Sequence, residues 1–280
     1  MIIVGIIGGF GNQLFCYACG YATAKRVGAK LMLDTSILDN DTLRDYELDK
    51  LGIRYDKRFS TASIKSRFLR EAVRRLAFRL MRMRCHYLVD RNAWKYNKRI
   101  EGVKDHTYLL GYWQSEKYFK HLRGELLEMF KPRIELSSGC RQYVKEVEAC
   151  NSVSVHVRRG DYVTLGFCLP ASYYEKALAR MEKLVEEPVW FVFSDDLDYC
   201  RKLFAERPGK FVYVHYESTV TTIEDMYIMS RCKHNVVANS SYSWWGAWLN
   251  SNPEKIVIAP SRWMNQANLH GPILDSWIRM

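Results

Sequence analysis

Two neighbouring arginines follow a short apolar segment in the second half of the chain. The segment SVSVHV (152–157) is typical of a buried strand, and Arg158, Arg159 and Asp161 come soon after it. Side chains alternate along a strand, so His156 and Arg158 are expected to share one face at its carboxyl end. Guanidinium groups bind phosphate through paired N–H donors and stay charged, so the pair favours a diphosphate site. The alternative is an arginine–aspartate ion pair with a purely structural role.

Two aspartates follow the next apolar segment, VWFVF (189–193). A carboxylate at Asp195 or Asp196 can accept hydrogen bonds from the N–H groups of guanine, or it can hold a ribose. Serine and aspartate also cap helix N-termini, which is the structural alternative. Asp196 and Asp198 have the Asp-x-Asp spacing of some divalent-metal sites. At the start of a predicted helix, we favour the cap over the metal.

A glycine-rich turn follows the first apolar segment of the chain, at GGFGN (8–12). Glycines such as Gly9 and Gly11 allow backbone N–H groups to approach an anion at a helix N-terminus, and the helix is predicted to run over 13–27, after Asn12. The turn lacks the third glycine of a dinucleotide-binding fingerprint, because Leu14 occupies that position. A tight turn without a ligand is therefore an equal alternative.

A hydroxyl-rich segment, NSSYSWWGAWL, follows the apolar residues NVVA near the C-terminal end. Ser240 and Ser241 open a predicted helix, where hydroxyls serve as N-caps or form a second anion site. Trp244, Trp245 and Trp248 are interpreted as packing residues in preference to sugar-stacking residues.

The pattern of apolar segments predicts an α/β protein with parallel sheets. Helices fit between the strands, and the chemically distinctive residues follow strand ends, where parallel sheets bind their ligands. We predict a break near 134–151, which gives an N-terminal lobe at 1–150 and a C-terminal lobe at 151–280. The predicted strands lie at 2–7, 31–33, 107–113, 152–157, 189–193, 211–214, 235–238 and 255–259.

The positive charge of the chain is concentrated in one stretch. Of the 280 residues, 42 are Lys or Arg and 31 are Asp or Glu, but residues 51–100 alone hold 15 basic and three acidic side chains. Within that stretch, 57–85 has the pattern of a basic amphipathic helix, with apolar residues on one face. Docking to anionic lipid is one interpretation, and a solvated helix packed on the N-terminal lobe is the other.

Other features exclude several classes of protein. No apolar run approaches the length of a membrane span. Of eight cysteines, only Cys16 and Cys19 are spaced as CxxC, so free thiols in a reducing cytosol are expected. Motifs of serine hydrolases, zinc hydrolases and P-loop enzymes are missing from the sequence.

In this order and spacing, GGFGNQLF, GYWQSEKYF, HVRRGDY, FSDD and NSSYSWWGAWL resemble the bacterial α-1,2-fucosyltransferases of glycosyltransferase family 11. The resemblance covers residues 8–249. It implies a GT-B-like α/β fold, in which two Rossmann-like lobes turn their parallel sheets towards an interdomain cleft. It also implies that GDP-β-L-fucose is the donor, that transfer to the 2-hydroxyl of a terminal galactose inverts the anomeric centre, and that no metal or other cofactor is needed.

The resemblance also implies roles for single residues. Arg158 would hold the β-phosphate and His156 would contact guanine, as would one aspartate of FSDD, preferentially Asp196. The mechanism adds Asp161 as a candidate catalytic base. The predicted catalytic residues are Arg158, Asp161 and Asn12, and the predicted donor-binding residues are Gly9, Gly11, His156, Arg159, Asp195, Asp196, Ser240 and Ser241.

The expected partners are GDP-fucose and a galactose-terminated oligosaccharide or lipid-linked glycan, without nucleic acid. The expected location is the cytoplasm, with peripheral contact to an anionic inner membrane as a further hypothesis. One alternative is a glycosyltransferase that uses a different nucleotide sugar. Another is a non-enzymatic nucleic-acid-binding or membrane-binding module built around the basic segment at 57–85. The strand-end motifs lie outside that segment, which argues against this last alternative.

Overall fold

The computed structural model describes residues 1–263 and 271–280, and the chain divides into two compact units, Met1–Arg133 and Ile134–Met280. Each unit contains its own parallel β-sheet with helices. The predicted α/β class with two lobes is therefore confirmed. No helix in the described part of the chain is long and apolar enough to cross a membrane.

The first unit is built around β1, the middle strand of a five-stranded sheet among the described residues, in the order β3-β2-β1-β5-β4. All neighbouring strands are parallel. The strands are β1 (Ile2–Gly5), β2 (Leu31–Asp34), β3 (Lys57–Phe59), β4 (His86–Val89) and β5 (Thr107–Leu110), and the helices are α1 (Phe10–Val27), α2 (Arg67–Arg84) and α3 (Arg123–Met129). Short 3-10 turns occur at Leu38–Asn40, Leu48–Lys50, Lys98–Gly102, Glu116–Tyr118 and Lys120–Leu122.

The second unit contains a parallel sheet of six strands within the described ranges, in the order β11-β10-β9-β6-β7-β8. The chain adds β7 and β8 on one side of β6 and adds β9, β10 and β11 on the other. The direction of strand addition therefore reverses between β6 and β9. The strands are β6 (Ser152–Val157), β7 (Val189–Ser194), β8 (Lys210–Tyr213), β9 (His234–Val236), β10 (Val257–Ala259) and β11 (Ile278–Arg279). The helices are α4 (Ser138–Glu148), α5 (Gly160–Leu165), α6 (Ala171–Glu182), α7 (Leu197–Leu203), α8 (Thr221–Arg231) and α9 (Ser241–Leu249).

The boundary between the units lies at residue 133, not at residue 150 as predicted. Helix α4 belongs to the second unit, because Cys140 and Val147 are buried in the same apolar cluster as Ile228 of α8. The hydroxyl of Ser137, just before α4, also donates a hydrogen bond to the Glu224 carboxylate at 2.9 Å. The segment 134–151 was predicted to be the break between the lobes because the outer face of α4 is polar, and polar residues are typical of linkers.

The predicted basic helix at 57–85 is shorter than expected. Residues 57–59 form β3, an edge strand that pairs with β2. Helix α2 begins only at Arg67, because the Ser66 hydroxyl caps it by accepting a hydrogen bond from the Leu69 N–H. The predicted helix therefore included, wrongly, the residues of β3 and the capping residue Ser66.

The cysteines behave as the sequence predicts. All eight are free thiols. Cys16 and Cys19 are fully buried in α1, and burial raises the pKa of the Cys16 thiol to about 12 and that of Cys19 well above its ordinary value. Such thiols stay protonated, so the CxxC spacing does not form a redox pair.

Candidate active site

The Arg158 guanidinium lies between two carboxylates at the carboxyl end of β6. Its Nη1 donates to Asp195 Oδ2 at 2.5 Å, and its Nη2 donates to Asp161. Asp195 Oδ1 accepts a second hydrogen bond, from the backbone N–H of Arg159 at 2.8 Å. The loops that follow the adjacent strands β6 and β7 are thus joined through one aspartate. The ion pair named as the structural alternative is present, and phosphate binding by Arg158 stays a prediction.

Arg159 packs against the first turn of α7. Its guanidinium carbon lies 3.8 Å from the centre of the Tyr199 ring, and its Nε lies 3.5 Å from Asp196 Oδ2. Asp196 Oδ1 accepts a hydrogen bond from the Tyr199 N–H at 3.0 Å. This confirms the prediction that Asp196 caps α7. In the ranges 1–263 and 271–280, no group of three or more His, Cys, Asp or Glu side chains is arranged to hold a metal ion.

His156 is buried on β6 and is neutral. Removal from water, together with the nearby positive charge of Arg158, lowers the pKa of its imidazole to about 3. The ring centre lies 5.5 Å from that of Tyr242 in α9. Among the described residues, the buried Nδ1 atom has no hydrogen-bond partner. A neutral imidazole with a buried open nitrogen is suited to a hydrogen bond with a ligand.

The turn between β9 and α9 adjoins the loop after β6. The Ser240 hydroxyl caps α9 by accepting from the Tyr242 N–H at 3.3 Å, and Ser241 follows in the first helical turn. The Tyr162 hydroxyl of α5 donates to the Asn239 carbonyl at 3.2 Å. The Asn239 Oδ1 atom is buried and has no partner within the described ranges. Two buried polar atoms thus lie at the reversal between β6 and β9, where open parallel sheets bind ligands.

Three tryptophans hold α9 in place. Trp244, Trp245 and Trp248 are at most 1% exposed, and their ring centres lie 4.9–6.0 Å apart. The Trp244 Nε1–H also donates to the Pro272 carbonyl at 2.7 Å. This confirms the prediction that these residues pack in the core. Their rigidity fixes the turn that carries Ser240 and Ser241.

In the first unit, the glycine-rich turn connects β1 directly to α1. Gly8 has a left-handed conformation with φ of +74°, and Gly9 precedes the first helical residue. The Gly9 carbonyl accepts from the N–H groups of Asn12 and Gln13, at 2.8 and 3.0 Å. Gly11 lies in the first turn and is buried. The turn is shorter than predicted, because α1 begins at Phe10 and not at Gln13, so Gly11 and Asn12 are already helical. Its contact with an anion stays a prediction.

Gln114 is a further polar residue of this region, and no role was predicted for it from the motif GYWQSEKYF. Its Nε2 donates to Asn12 Oδ1 at 2.7 Å, so it fixes the orientation of the Asn12 amide. The backbone before it is constrained, because Trp113 has a φ of +52° and its N–H donates to Asp90 Oδ2 at 3.1 Å. Gln114 follows β5, and parallel sheets bind ligands beyond the carboxyl ends of their strands, so the argument used for the other residues could have identified it as well.

The predicted residues therefore fall into two groups. The second unit brings five charged side chains into one network at the ends of β6 and β7: Arg158, Arg159, Asp161, Asp195 and Asp196. His156, Ser240 and Ser241 lie beside it at β6 and α9. The first unit holds Gly9 directly before α1, and Gly11 and Asn12 in the first turn of that helix.

We predict that Gly160→Ala destabilises the second unit. Gly160 has a φ of +27°, and a Cβ atom there would come within 2.6 Å of Asp195 Oδ2. The change is expected to cost about 2–3 kcal/mol in urea unfolding, because it adds a clash to an unfavourable backbone conformation. Gly166→Ala is the control, since Gly166 has a φ of +68° and open space around it. It should cost only about 1 kcal/mol. Equal losses would contradict the contact with Asp195.

His156 also predicts a pH dependence of stability. Its folded-state pKa of about 3 lies below the ordinary value of 6.5, so the unfolded chain takes up a proton first as the pH falls. The contribution is fully present above pH 6.5 and is lost as the pH falls towards 3. Between pH 8 and pH 5, this residue should account for about 2 kcal/mol of lost unfolding free energy.

The measurement is urea unfolding at pH 8 and pH 5 for the wild type and His156→Gln. The variant should lose about 2 kcal/mol less than the wild type over this interval. His106→Gln is the matched control, because the His106 side chain is 70% exposed. An identical pH dependence in the wild type and His156→Gln would show that His156 is not kept neutral by the fold.

Comparison with known proteins adds the identity of the family. Residues 4–279 match the profile of the family described as "Glycosyl transferase family 11". The chain belongs to glycosyltransferase family 11. It is 34% identical to the O-antigen biosynthesis glycosyltransferase WbnK of Escherichia coli, over 98% of each chain. It is 33% identical to an Escherichia coli alpha-1,2-colitosyltransferase, over 100% of this chain and 99% of the relative.

The fold also resembles that of solved glycosyltransferases. The fucosyltransferase NodZ from Bradyrhizobium superimposes with a TM-score of 0.51 at 16% identity, over 88% of this chain and 90% of NodZ. The fold of this family 11 enzyme is accordingly GT-B-like, with two α/β units. Family membership makes the protein an enzyme, so the non-enzymatic alternative is wrong.

Proposed function

We propose that this family 11 enzyme transfers L-fucose from GDP-β-L-fucose to the 2-hydroxyl of a terminal galactose, with inversion and without a metal ion. One observation carries the proposal: Arg158 stands at the carboxyl end of β6, at the position where the strand order reverses. This is where a parallel sheet places a nucleotide. The motifs that contain Arg158 and its neighbours are those that resemble the α-1,2-fucosyltransferases.

The chemistry requires positive charge at the leaving group. The bond between fucose C1 and the β-phosphate oxygen breaks, and its electron pair leaves with GDP. Negative charge therefore grows on the β-phosphate in the transition state. An arginine held in a fixed orientation stabilises that charge more than it stabilises the ground state. In this proposal, Arg158 takes the role that a divalent cation takes in metal-dependent transferases.

The ion pairs of Arg158 suggest how donor binding and proton removal are linked. Asp195 accepts from both Arg158 and the Arg159 N–H, so two groups hold it in place. Asp161 lies in the first turn of α5, and its side chain is 39% exposed. In this proposal, the diphosphate displaces Asp161 from Arg158. The Asp161 carboxylate then accepts the proton of the galactose 2-hydroxyl, while the hydroxyl oxygen forms a bond to C1 on the face opposite GDP.

The remaining predicted residues complete the donor site in this proposal. His156 offers a neutral imidazole to guanine, with Asp196 as the carboxylate that accepts its N–H groups. The resemblance to the α-1,2-fucosyltransferases is the only support for assigning Gly9, Gly11 and Asn12 of the first unit to the diphosphate and fucose, and that assignment stays a prediction. Ser240 and Ser241 donate to phosphate from the N-terminus of α9, where the helix dipole favours negative charge.

A second donor has specific support. The relative that is 33% identical over the whole chain is named for colitosyl transfer. Colitose is L-fucose without its 3-hydroxyl, so the two donors differ by a single oxygen. A site that hydrogen-bonds the 3-hydroxyl would reject the deoxy sugar strongly, because a buried polar group would lose its partner. A site without such a contact would accept both sugars.

The test is a transfer assay with GDP-fucose or GDP-colitose as donor and a β-galactoside as acceptor, in the presence of EDTA. The proposal predicts that GDP-fucose has the higher kcat/KM and that NMR of the product shows an α-1,2 linkage. A higher kcat/KM with GDP-colitose would show that colitose, not fucose, is the sugar transferred, and would leave the proposed mechanism unchanged. Activity only after addition of Mn²⁺ or Mg²⁺ would contradict the role given to Arg158.

A further inference from the structure

Helix α2 exposes an apolar stripe to solvent. Phe68 is 85% exposed, Leu76 58% and Met83 76%, and Leu69 and Leu80 are about half exposed. At 100° per residue, these five side chains fall within about one third of the helix circumference. Exposed apolar side chains that form one patch mark an interaction surface, whereas scattered ones do not. We call this patch the α2 stripe.

The opposite face of α2 attaches the helix to the first unit. Phe78 packs edge-on against Tyr87 and Tyr108, with ring centres 5.4 and 5.9 Å apart. The Arg70 Nη1 atom donates to the Asp39 carbonyl at 2.6 Å. The apolar face predicted from the sequence is therefore not the face that packs on the protein. Phe78 and Arg70 attach α2 to the first unit, so the side chains of the α2 stripe are not needed for that attachment.

Positive charge surrounds the α2 stripe. Helix α2 contains seven arginines and one acidic residue, Glu71, which pairs with Arg74 and Arg75. Arg79 is exposed within the arc of the stripe, and Arg82 and Arg84 are exposed at its two margins. An exposed helix with an apolar face and arginines at its margins has the pattern of helices that lie in a membrane interface. The arginines there contact lipid phosphates while the apolar side chains enter the acyl boundary.

We propose that α2 docks the enzyme flat on an anionic phospholipid surface. Charge decides between this occupant and others. A second copy of the chain, paired through the same stripe, would bring the exposed arginines Arg79, Arg82 and Arg84 of both copies together. Nucleic acid would neutralise the arginines but would leave Phe68, Leu76 and Met83 in water. An anionic bilayer satisfies both the charge and the apolar stripe. None of the proposed donor-site residues belongs to α2, so the test of this surface does not depend on the proposed function.

The experiment is co-flotation of the purified full-length protein with vesicles. One set contains phosphatidylcholine alone, and the other contains phosphatidylcholine with about one third phosphatidylglycerol. Wild type should float with the anionic vesicles and stay behind with the neutral ones. Because each arginine near an anionic surface contributes about 1 kcal/mol, Arg79→Gln with Arg82→Gln should weaken the partition about 25-fold.

A second variant tests the stripe with every arginine kept. Phe68→Ser, Leu76→Ser and Met83→Ser together should weaken binding at least tenfold, because apolar burial is lost. The matched control is Leu43→Ser with Leu184→Ser, two exposed apolar residues outside α2, which should bind as the wild type does. Circular dichroism of each variant verifies that it is folded.

Three outcomes would overturn the proposal. The first is no retention of the wild type on anionic vesicles. The second is retention unchanged by loss of the α2 stripe, which would leave only nonspecific charge attraction. The third is a dimer in analytical ultracentrifugation that the stripe variant dissociates, without vesicle binding, which would assign the face to a second copy.

Discussion

Replacement of Arg158 by alanine is expected to lower kcat by about 10³-fold, because removal of one preorganised donor to a developing negative charge typically costs 10²–10³. Arg158 supplies a full charge and two N–H groups, which favours the upper end of that range. Protein stability should change little, since the Arg158, Asp161 and Asp195 side chains are 26–39% exposed and such ion pairs contribute about 1 kcal/mol or less. The measurement is steady-state kinetics of transfer, with urea unfolding in parallel.

Arg207 provides a matched control for this experiment. It also forms an arginine–carboxylate pair, with Glu182 Oε2 at 2.8 Å, and its side chain is 20% exposed. Arg207→Ala should therefore have a similar effect on stability and none on kcat. Arg158→Lys should recover only part of the rate, because an ammonium group cannot donate along two fixed directions. A kcat for Arg158→Ala within tenfold of the wild type would remove Arg158 from the mechanism.

Asp195→Asn is expected to lower kcat by about 10²-fold, because a misplacement of about 1 Å near the reacting atoms can cost that much. The carboxylate accepts from Arg158 and from the Arg159 N–H, and an amide nitrogen at either position would repel the donor it faces. Arg158 would lose its alignment while its charge stays. Asp195 acts through Arg158, so it is a positioning residue. Kinetics should show the loss in kcat, with KM for the donor nearly unchanged.

Asp196→Asn is the companion variant. Asparagine caps helices as well as aspartate does, so α7 should stay folded. We expect kcat to be retained and KM for the nucleotide sugar to rise about tenfold, as the loss of one guanine contact worth about 1.4 kcal/mol would produce. A large rise in donor KM for Asp195→Asn, with kcat retained, would exchange the roles of the two aspartates.

The sequence was most informative where backbone geometry follows from local composition. The apolar segment before Arg158 predicted β6 to the residue, and the capping preference of Asp196 predicted the start of α7. Three tryptophans on one predicted helix, Trp244, Trp245 and Trp248, were correctly interpreted as packing residues. The first two features depend on neighbours within a few residues, and the third follows from the strong tendency of large apolar side chains to be buried.

Features that depend on distant residues were missed or misplaced. The bond from Gln114 to Asn12 joins residues that are 102 positions apart. The assignment of α4 to the second unit depends on Glu224, which is far along the chain. Helix α2 shows the same limit, because its packed face is set by aromatic residues on β4 and β5. An amphipathic pattern identifies an apolar face but not its partner.

The central claim is that Arg158 and its neighbours form a site for GDP-linked sugar that needs no metal. Calorimetric titration with GDP, GDP-fucose, GDP-mannose, UDP-galactose and ADP, with EDTA present, tests it most directly. We expect GDP and GDP-fucose to bind the wild type, UDP-galactose and ADP to show no binding, and Arg158→Ala to lose at least tenfold in affinity for GDP. Failure of GDP to bind, with EDTA or with added divalent metal, would contradict the claim.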